Sequence, residues 1–226
     1  MKSFWEKLCN RVNLPLILFC PVILCGFLRI FIFSIGIFYY DIPDYFEGVF
    51  WAEATLRSGS VINPDYVYYY LVPFGSNLIM APFVALFGVS YIANQLGMLV
   101  YYLIYLAVLF HFSGVLYKEN QKRLIFCAVI SLFIYTYIGD NLLHHLLCYG
   151  IGFVCFLGEL SCLVAISQKK QIVRNLVFLA FFCLWSSSNG PVTAALSGFP
   201  VMAALLISGY RFKNCSPGKR RKYISR

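Results

Sequence analysis

Five of the nine acidic residues lie in one polar stretch, residues 41–88, where their spacing gives the first indication of chemistry. Asp41, Asp44 and Glu47 are three residues apart, so they share one face of a helix that begins early in this stretch. A carboxylate on such a face can act as a general base towards a hydroxyl within hydrogen-bond distance. Helix capping is the alternative, because Asp41 shortly before Pro43 is typical of an N-cap with proline in the first turn. Capping explains Asp41 as well as chemistry does, Asp44 less well, and Glu47 least.

The helix that would position these acids is predicted over residues 44–58. Gly59 ends the pattern, and Glu53 and Arg57 form an i,i+4 ion pair on a different face from the acids. Trp51 is expected at a membrane interface. The residues at helical spacing that we expect to lie on the membrane are Tyr45, Val49, Ala52 and Leu56.

A second short helix is predicted over residues 76–87. Pro82 lies inside it and Gly88 follows it, and both residues suit a short element. We expect this helix to lie at the outer membrane surface or to be re-entrant.

The composition predicts an all-α integral membrane protein. Hydrophobic residues make up 61% of the chain, aromatic residues 19% and charged residues only 12%, and the mean hydropathy is +0.76. Soluble domains carry about twice that share of charge, so this chain cannot cover a globule with polar surface. Lipid is therefore the expected solvent.

The distribution of positive charge predicts the topology. Four segments hold 16 of the 18 lysines and arginines, namely residues 1–14, 118–123, 168–174 and 211–226. Such residues collect on the cytoplasmic side, so both termini are expected inside the plasma membrane. The loop 41–90 is then outside, the domain 1–210 is polytopic, and 211–226 is a basic cytoplasmic tail that meets anionic lipid and not nucleic acid. The predicted spans are roughly 15–40, 91–117, 124–138, 146–167, 172–187 and 192–210.

Two charged residues lie deep within predicted spans. Arg29 is in the first span and Glu159 in the fourth, at similar depths, and a lone charge at mid-membrane costs about 2.5–3.5 kcal/mol. We therefore expect the two spans to touch and the two side chains to pair. The alternatives are separate water-filled cavities or a protonated Glu159.

Cysteine does not indicate a metal site. Nine cysteines are scattered without a C-x-x-C pair, which argues against a disulfide framework or a metal cluster. Cys148, Cys155 and Cys162 are seven residues apart on one helix face and are expected to pack helices together.

The loop resembles the first outer loop of the GT-C superfamily, membrane glycosyltransferases that use lipid-phosphate-linked sugars. The shared features are an acid at the outer end of the first span (Asp41, then Asp44), a surface helix running from Ala52 to Gly59, an aromatic stretch over residues 66–73 that ends in proline, and a second surface helix ending in Phe87-Gly88. The resemblance covers roughly residues 15–170. It implies transfer of a sugar from a lipid-phosphate donor to an acceptor at the outer membrane face.

The resemblance also implies roles for individual residues. Asp41 or Asp44 would take the proton from the acceptor hydroxyl, with Glu47 on the same face. Asp140 occupies the position of a second-loop acid, with N-capping as the alternative, and His144 four residues on could face the same site. His144 and His145 are otherwise polar residues of the interface.

A cation is required beside the leaving lipid phosphate, where negative charge develops. Arg57 is the arginine expected outside the membrane. Family members continue for several more spans that commonly supply such cations, which leaves room for a second subunit. Some members bind a divalent metal with their acids, although no pattern in this sequence demands one.

Two other classes of function remain open. A transporter would need ionisable residues along a path between spans, and only Arg29 and Glu159 lie deep. A non-catalytic membrane subunit or lipid-binding partner would need none of the acids.

Overall fold

A computed structural model describes residues 14–33, 46–61, 76–132, 150–188, 195, 198, 201–203 and 206. Every regular element within these residues is helical, which confirms the predicted all-α class. The longer helices are α1 (Leu14–Phe33), α2 (Glu47–Ser58), α3 (Ser76–Phe87), α4 (Tyr91–Leu116), α5 (Asn120–Leu132), α6 (Ile151–Ser167) and α7 (Ile172–Ser188).

Helix α4 is the central element. Its 26 residues extend for about 39 Å, and among the described residues it is the one helix long and apolar enough to cross a membrane. The apolar helices α1, α3, α6 and α7 are shorter. The Ser90 hydroxyl caps the start of α4 by accepting a hydrogen bond from the Ala93 amide at 3.3 Å.

The main core forms around α4. Its buried side carries Tyr101, Tyr102, Tyr105 and Leu109, and these residues pack with side chains from α1, α5 and α6. Helix α1 approaches closely because Gly26 has no side chain, and a Cβ there would overlap the Tyr102 ring. The core therefore fixes how four of the apolar helices meet.

Helices α4 and α6 run in the same direction. The Tyr101 hydroxyl donates to the Gly150 carbonyl at 2.8 Å, and 14 residues further along α4 the Gln168 side-chain amide donates to the Val115 carbonyl at 3.3 Å. The connection from α4 to α5 and the connection from α6 to α7 thus lie at the same end of the molecule. The basic segments 118–123 and 168–174 cover parts of these connections and the first turns of α5 and α7.

Helices α2 and α3 end where the sequence predicts. Gly59 has φ +66° and Gly88 has φ +65°, a left-handed conformation that glycine adopts without steric cost. Helix α3 then packs alongside the first part of α4, since Met80 occupies the space above Gly97. That contact lies about two turns from the α3–α4 connection, so the two helices remain adjacent over that length.

The interface position predicted for Trp51 is wrong. Trp51 is 1% exposed, and Val49 and Ala52 of the same helix are fully buried, because α2 packs extensively against α3. Leu56 is exposed on α2, so its place on the membrane stays a prediction. Tyr45 lies outside the described residues. The apolar side of α2 is therefore used mainly for a helix–helix contact.

The predicted Arg29–Glu159 pair is also wrong. Ion pairs within the described residues link neighbours one helical turn apart. Oε1 of Glu159 instead accepts a hydrogen bond from the Ser186 hydroxyl at 3.2 Å. Helix α1 packs mainly against α5, and α6 packs mainly against α7. Equal depth in two spans did not make them neighbours.

Candidate functional site

Most of the predicted site residues fall in parts of the chain that the structure does not describe. Glu47 and Arg57 lie within the described residues. The predicted residues outside them are Asp41, Asp44, Asp140, His144 and His145.

Glu47 is the first residue of α2 and is half-buried. The preceding residue, Phe46, makes an edge-to-face contact with Tyr91 at the start of α4, with ring centroids 4.8 Å apart and an interplanar angle of 89°. Such aromatic contacts contribute about 0.5–1.5 kcal/mol beyond area burial. Glu47 is therefore held close to the N-terminal end of α4.

Arg57 lies in the last turn of α2 and is bound by its own helix. Its Nη2 atom is 2.6 Å from Oε1 of Glu53, which confirms the predicted i,i+4 pair, and its side chain is 76% exposed. Ten residues separate Glu47 from Arg57, or about 15 Å along the helix axis. The structure therefore places the two at opposite ends of α2 and does not bring them into one small site.

Two buried amides in this region were missed from the sequence. Asn77 is fully buried at the start of α3, and its Nδ2 atom donates to the Thr55 hydroxyl of α2 at 3.5 Å. Asn94 is 4% exposed in the first turn of α4. Within the part of the chain that the structure describes, Oδ1 of each amide finds no hydrogen-bond partner.

A buried amide oxygen without a donor can accept a hydrogen bond from a hydroxyl group or a water molecule. The signal in the sequence was an amide side chain inside an otherwise apolar helix. Asn77 and Asn94 both belong to the assembly of α2, α3 and the first turns of α4, which includes the described residues of the predicted loop 41–90.

An apolar cavity of about 740 Å³ lies between α3, α4 and α7. Its walls are aliphatic and aromatic, and Ser188 supplies the one hydroxyl among the lining residues in the described ranges. The lining residues are Leu78, Ile79, Pro82, Phe83, Val100, Ile104, Phe181, Leu184, Trp185 and Ser188. We call this cavity the α3–α7 groove.

The described ranges contain no group of three His, Cys, Asp or Glu side chains able to hold a metal ion. Cys155 and Cys162 are buried on the inner side of α6, where the sequence predicted a packing role. Comparison with protein-family models, curated proteins and solved structures finds no match to this chain.

Proposed function

We propose that the chain is a multi-pass protein of the plasma membrane, with six spans, both termini inside, and loop 41–90 outside. Its polarity supports a lipid environment, because large apolar side chains face outward while polar ones are buried. On α7, Val173 is 78% exposed and Leu184 is 74% exposed. Asn94, Ser113 and Glu159, by contrast, are enclosed. Polar residues turned inward are what a bilayer favours.

The shared end of the two basic connections supports the proposed orientation. Segments 118–123 and 168–174 lie together, joined through the Gln168–Val115 hydrogen bond. Positive segments on one side of a membrane indicate the cytoplasmic side. Helices α2 and α3 pack on the opposite part of α4, where Tyr91 begins it, and this position suits an outer loop whose second helix is re-entrant.

Within that loop, we infer transfer of a sugar from a lipid-phosphate donor to an acceptor hydroxyl. The observation that carries this inference is the α2–α3 pair. Its two helices are followed by Gly59 and Gly88, and α3 leads directly into α4, which is part of the order of elements on which the resemblance to the GT-C superfamily rests. Glu47 stands at the end of α2 nearest the start of α4, three residues after Asp44 in the sequence.

In the proposed reaction, one carboxylate of the first outer loop acts as the general base. Asp44, or Asp41, accepts the proton of the acceptor hydroxyl as the hydroxyl oxygen attacks the sugar and the sugar leaves its lipid phosphate. Asp140 assists catalysis from the second outer loop, and His144 and His145 bind substrate there. A cation must face the leaving phosphate. Arg57 is the candidate in this loop, because its exposed pair with Glu53 is weak, and another region or a second subunit supplies any further cation.

The test compares Asp44→Asn with Glu53→Gln in membranes that contain the expressed chain. The assay measures transfer from a panel of polyprenyl-phosphate hexoses. Asp44→Asn should abolish transfer at unchanged protein level, because an amide cannot accept the proton. Glu53→Gln should be mild, since its exposed pair with Arg57 contributes only about 0.2–1 kcal/mol. Equal losses at both positions, or no transfer above membranes lacking the chain, would refute the assignment.

A further inference from the structure

The walls of the α3–α7 groove suit an apolar guest. A volume of about 740 Å³ falls within the range of about 300–1,000 Å³ typical of ligand sites. A polar ligand would lose its hydrogen bonds to water on entering these walls and regain almost none. The guest must therefore be mainly hydrocarbon.

The described residues of the final segment lie on another side of α7. Val201 packs with Cys162 and Leu179, and a Cβ at Gly198 would lie 3.5 Å from Oγ of Ser187. The groove is formed instead by the side of α7 that carries Phe181, Leu184 and Trp185. These described residues of the final segment thus leave the groove open.

The groove is open on the side formed by α7. Phe181 is 54% exposed and Leu184 is 74% exposed, so the α7 wall is open to whatever surrounds the helices. In a bilayer the surrounding molecules are lipid chains.

We propose that the α3–α7 groove binds one acyl chain of a bilayer phospholipid, with the headgroup towards the Ser188 end of α7. The ring of Trp185 is held by Phe181, with ring centroids 5.5 Å apart, and amphipathic tryptophan rings favour the level of the headgroups. The acyl chain moves from bulk lipid to a concave protein wall. The free energy of binding therefore comes from closer van der Waals packing and not from the removal of apolar surface from water. This inference shares with the proposed function only the placement in a membrane and does not depend on glycosyl transfer.

The test uses the full chain in phosphatidylcholine vesicles that contain a phosphatidylcholine with a diazirine midway along one acyl chain. After irradiation, labelled peptides are quantified by mass spectrometry. We expect labelling of residues 78–83 and 181–188 to exceed labelling around Val177 by about fivefold, equivalent to about 1 kcal/mol. Val177 is 65% exposed near the middle of the same helix and reports contact with bulk lipid.

Ile104 and Leu103 offer a matched pair of variants. Ile104 lines the groove, while the adjacent Leu103 is 49% exposed on the outside of α4. Ile104→Trp should fill the groove and reduce its labelling to the level at Val177, whereas Leu103→Trp should leave it unchanged. If Ile104→Trp no longer elutes as a single species, Val100→Phe replaces it in the experiment. Val100 lines the same wall, and its smaller enlargement should lower the labelling of the groove partially.

Several outcomes would overturn the proposal. Equal labelling of the groove and of Val177, or no effect of either groove-filling variant, would mean that the groove holds only bulk lipid. Crosslinks between two copies through residues 181–188 would assign the surface to a dimer. Competition by polyprenyl phosphate at far lower concentration than by phosphatidylcholine would assign the groove to an isoprenoid chain.

Discussion

Glu159 illustrates at the scale of one residue why the polar groups of this chain lie inside. It is fully buried, and the Ser186 hydroxyl reaches its Oε1 atom across the α6–α7 contact at 3.2 Å. Gly158 lets the two helices come this close, because a Cβ there would lie 2.7 Å from the Phe182 ring. In lipid, a polar group is stabilised only by protein partners, so the hydrogen bond and the tight packing support each other.

Ser186→Ala should destabilise the α6–α7 contact. Hydrogen bonds between membrane helices contribute about 0.6 kcal/mol on average and up to about 1.7 kcal/mol, and in a protein of this size about 1 kcal/mol shifts the thermal midpoint by about 2–4 °C. The measurement is the thermal midpoint of the purified protein in detergent. Ser167→Ala is the control, because the Ser167 hydroxyl donates to Val164 within its own helix at an exposed position. An equal shift in both variants would contradict the role of Ser186.

Single-residue partners were the least predictable feature. The depths of Arg29 and Glu159 in their predicted spans follow from counting residues, but the neighbours of the two helices do not, and the expected pair is wrong for that reason. Trp51 was expected at an interface because its helix is amphipathic, yet it is buried. By contrast, the Glu53–Arg57 pair was predictable because both residues belong to one helix.

At the scale of elements, Gly97 controls how closely α3 approaches α4. Met80 is 1% exposed and fills the space that a side chain at Gly97 would need. Helix α3 has the small polar contact of Asn77 with Thr55 on its other neighbour, α2. The assembly of α2, α3 and the start of α4 therefore includes one close approach of the Met80 side chain to the α4 backbone and one amide hydrogen bond.

Gly97→Leu should separate α3 from α4 and lower the yield of folded protein. Overpacking of this kind typically costs about 1–3 kcal/mol. Ala107→Leu is the matched control, since it is the same kind of enlargement at an exposed position of the same helix. Size-exclusion elution and thermal midpoint give the readout. A stable Gly97→Leu variant, or an equally unstable Ala107→Leu variant, would contradict the assigned contact.

Element boundaries were predictable where local chemistry sets them. The ends of α2 and α3 follow from Gly59 and Gly88, since only glycine adopts a left-handed conformation without penalty. The break between α4 and α5 follows from the charges at 118–123. The burial of α2 against α3 was not predictable, because it depends on contacts between residues far apart in sequence.

At the scale of the whole molecule, the all-helical class follows from composition, and the structure confirms it within the described residues. Helices α4 and α6 run in the same direction. This agrees with the alternation of spans that charge counting predicts, since one predicted span, 124–138, separates them. The catalytic assignment stays a prediction, because five of its seven residues lie outside the described ranges. The buried amides and the α3–α7 groove emerged only from the packing of separate helices.

The central claim, that the acid-bearing loop faces outward and the basic connections face inward, is tested most directly by labelling single introduced cysteines on intact cells. A membrane-impermeant maleimide should modify Asn63→Cys and Asn189→Cys above the level of the parent chain. It should modify Asn120→Cys and Ser216→Cys only after permeabilisation. Labelling of Asn120→Cys on intact cells would contradict the single crossing by α4, and with it the placement of α2 and α3 at the outer face.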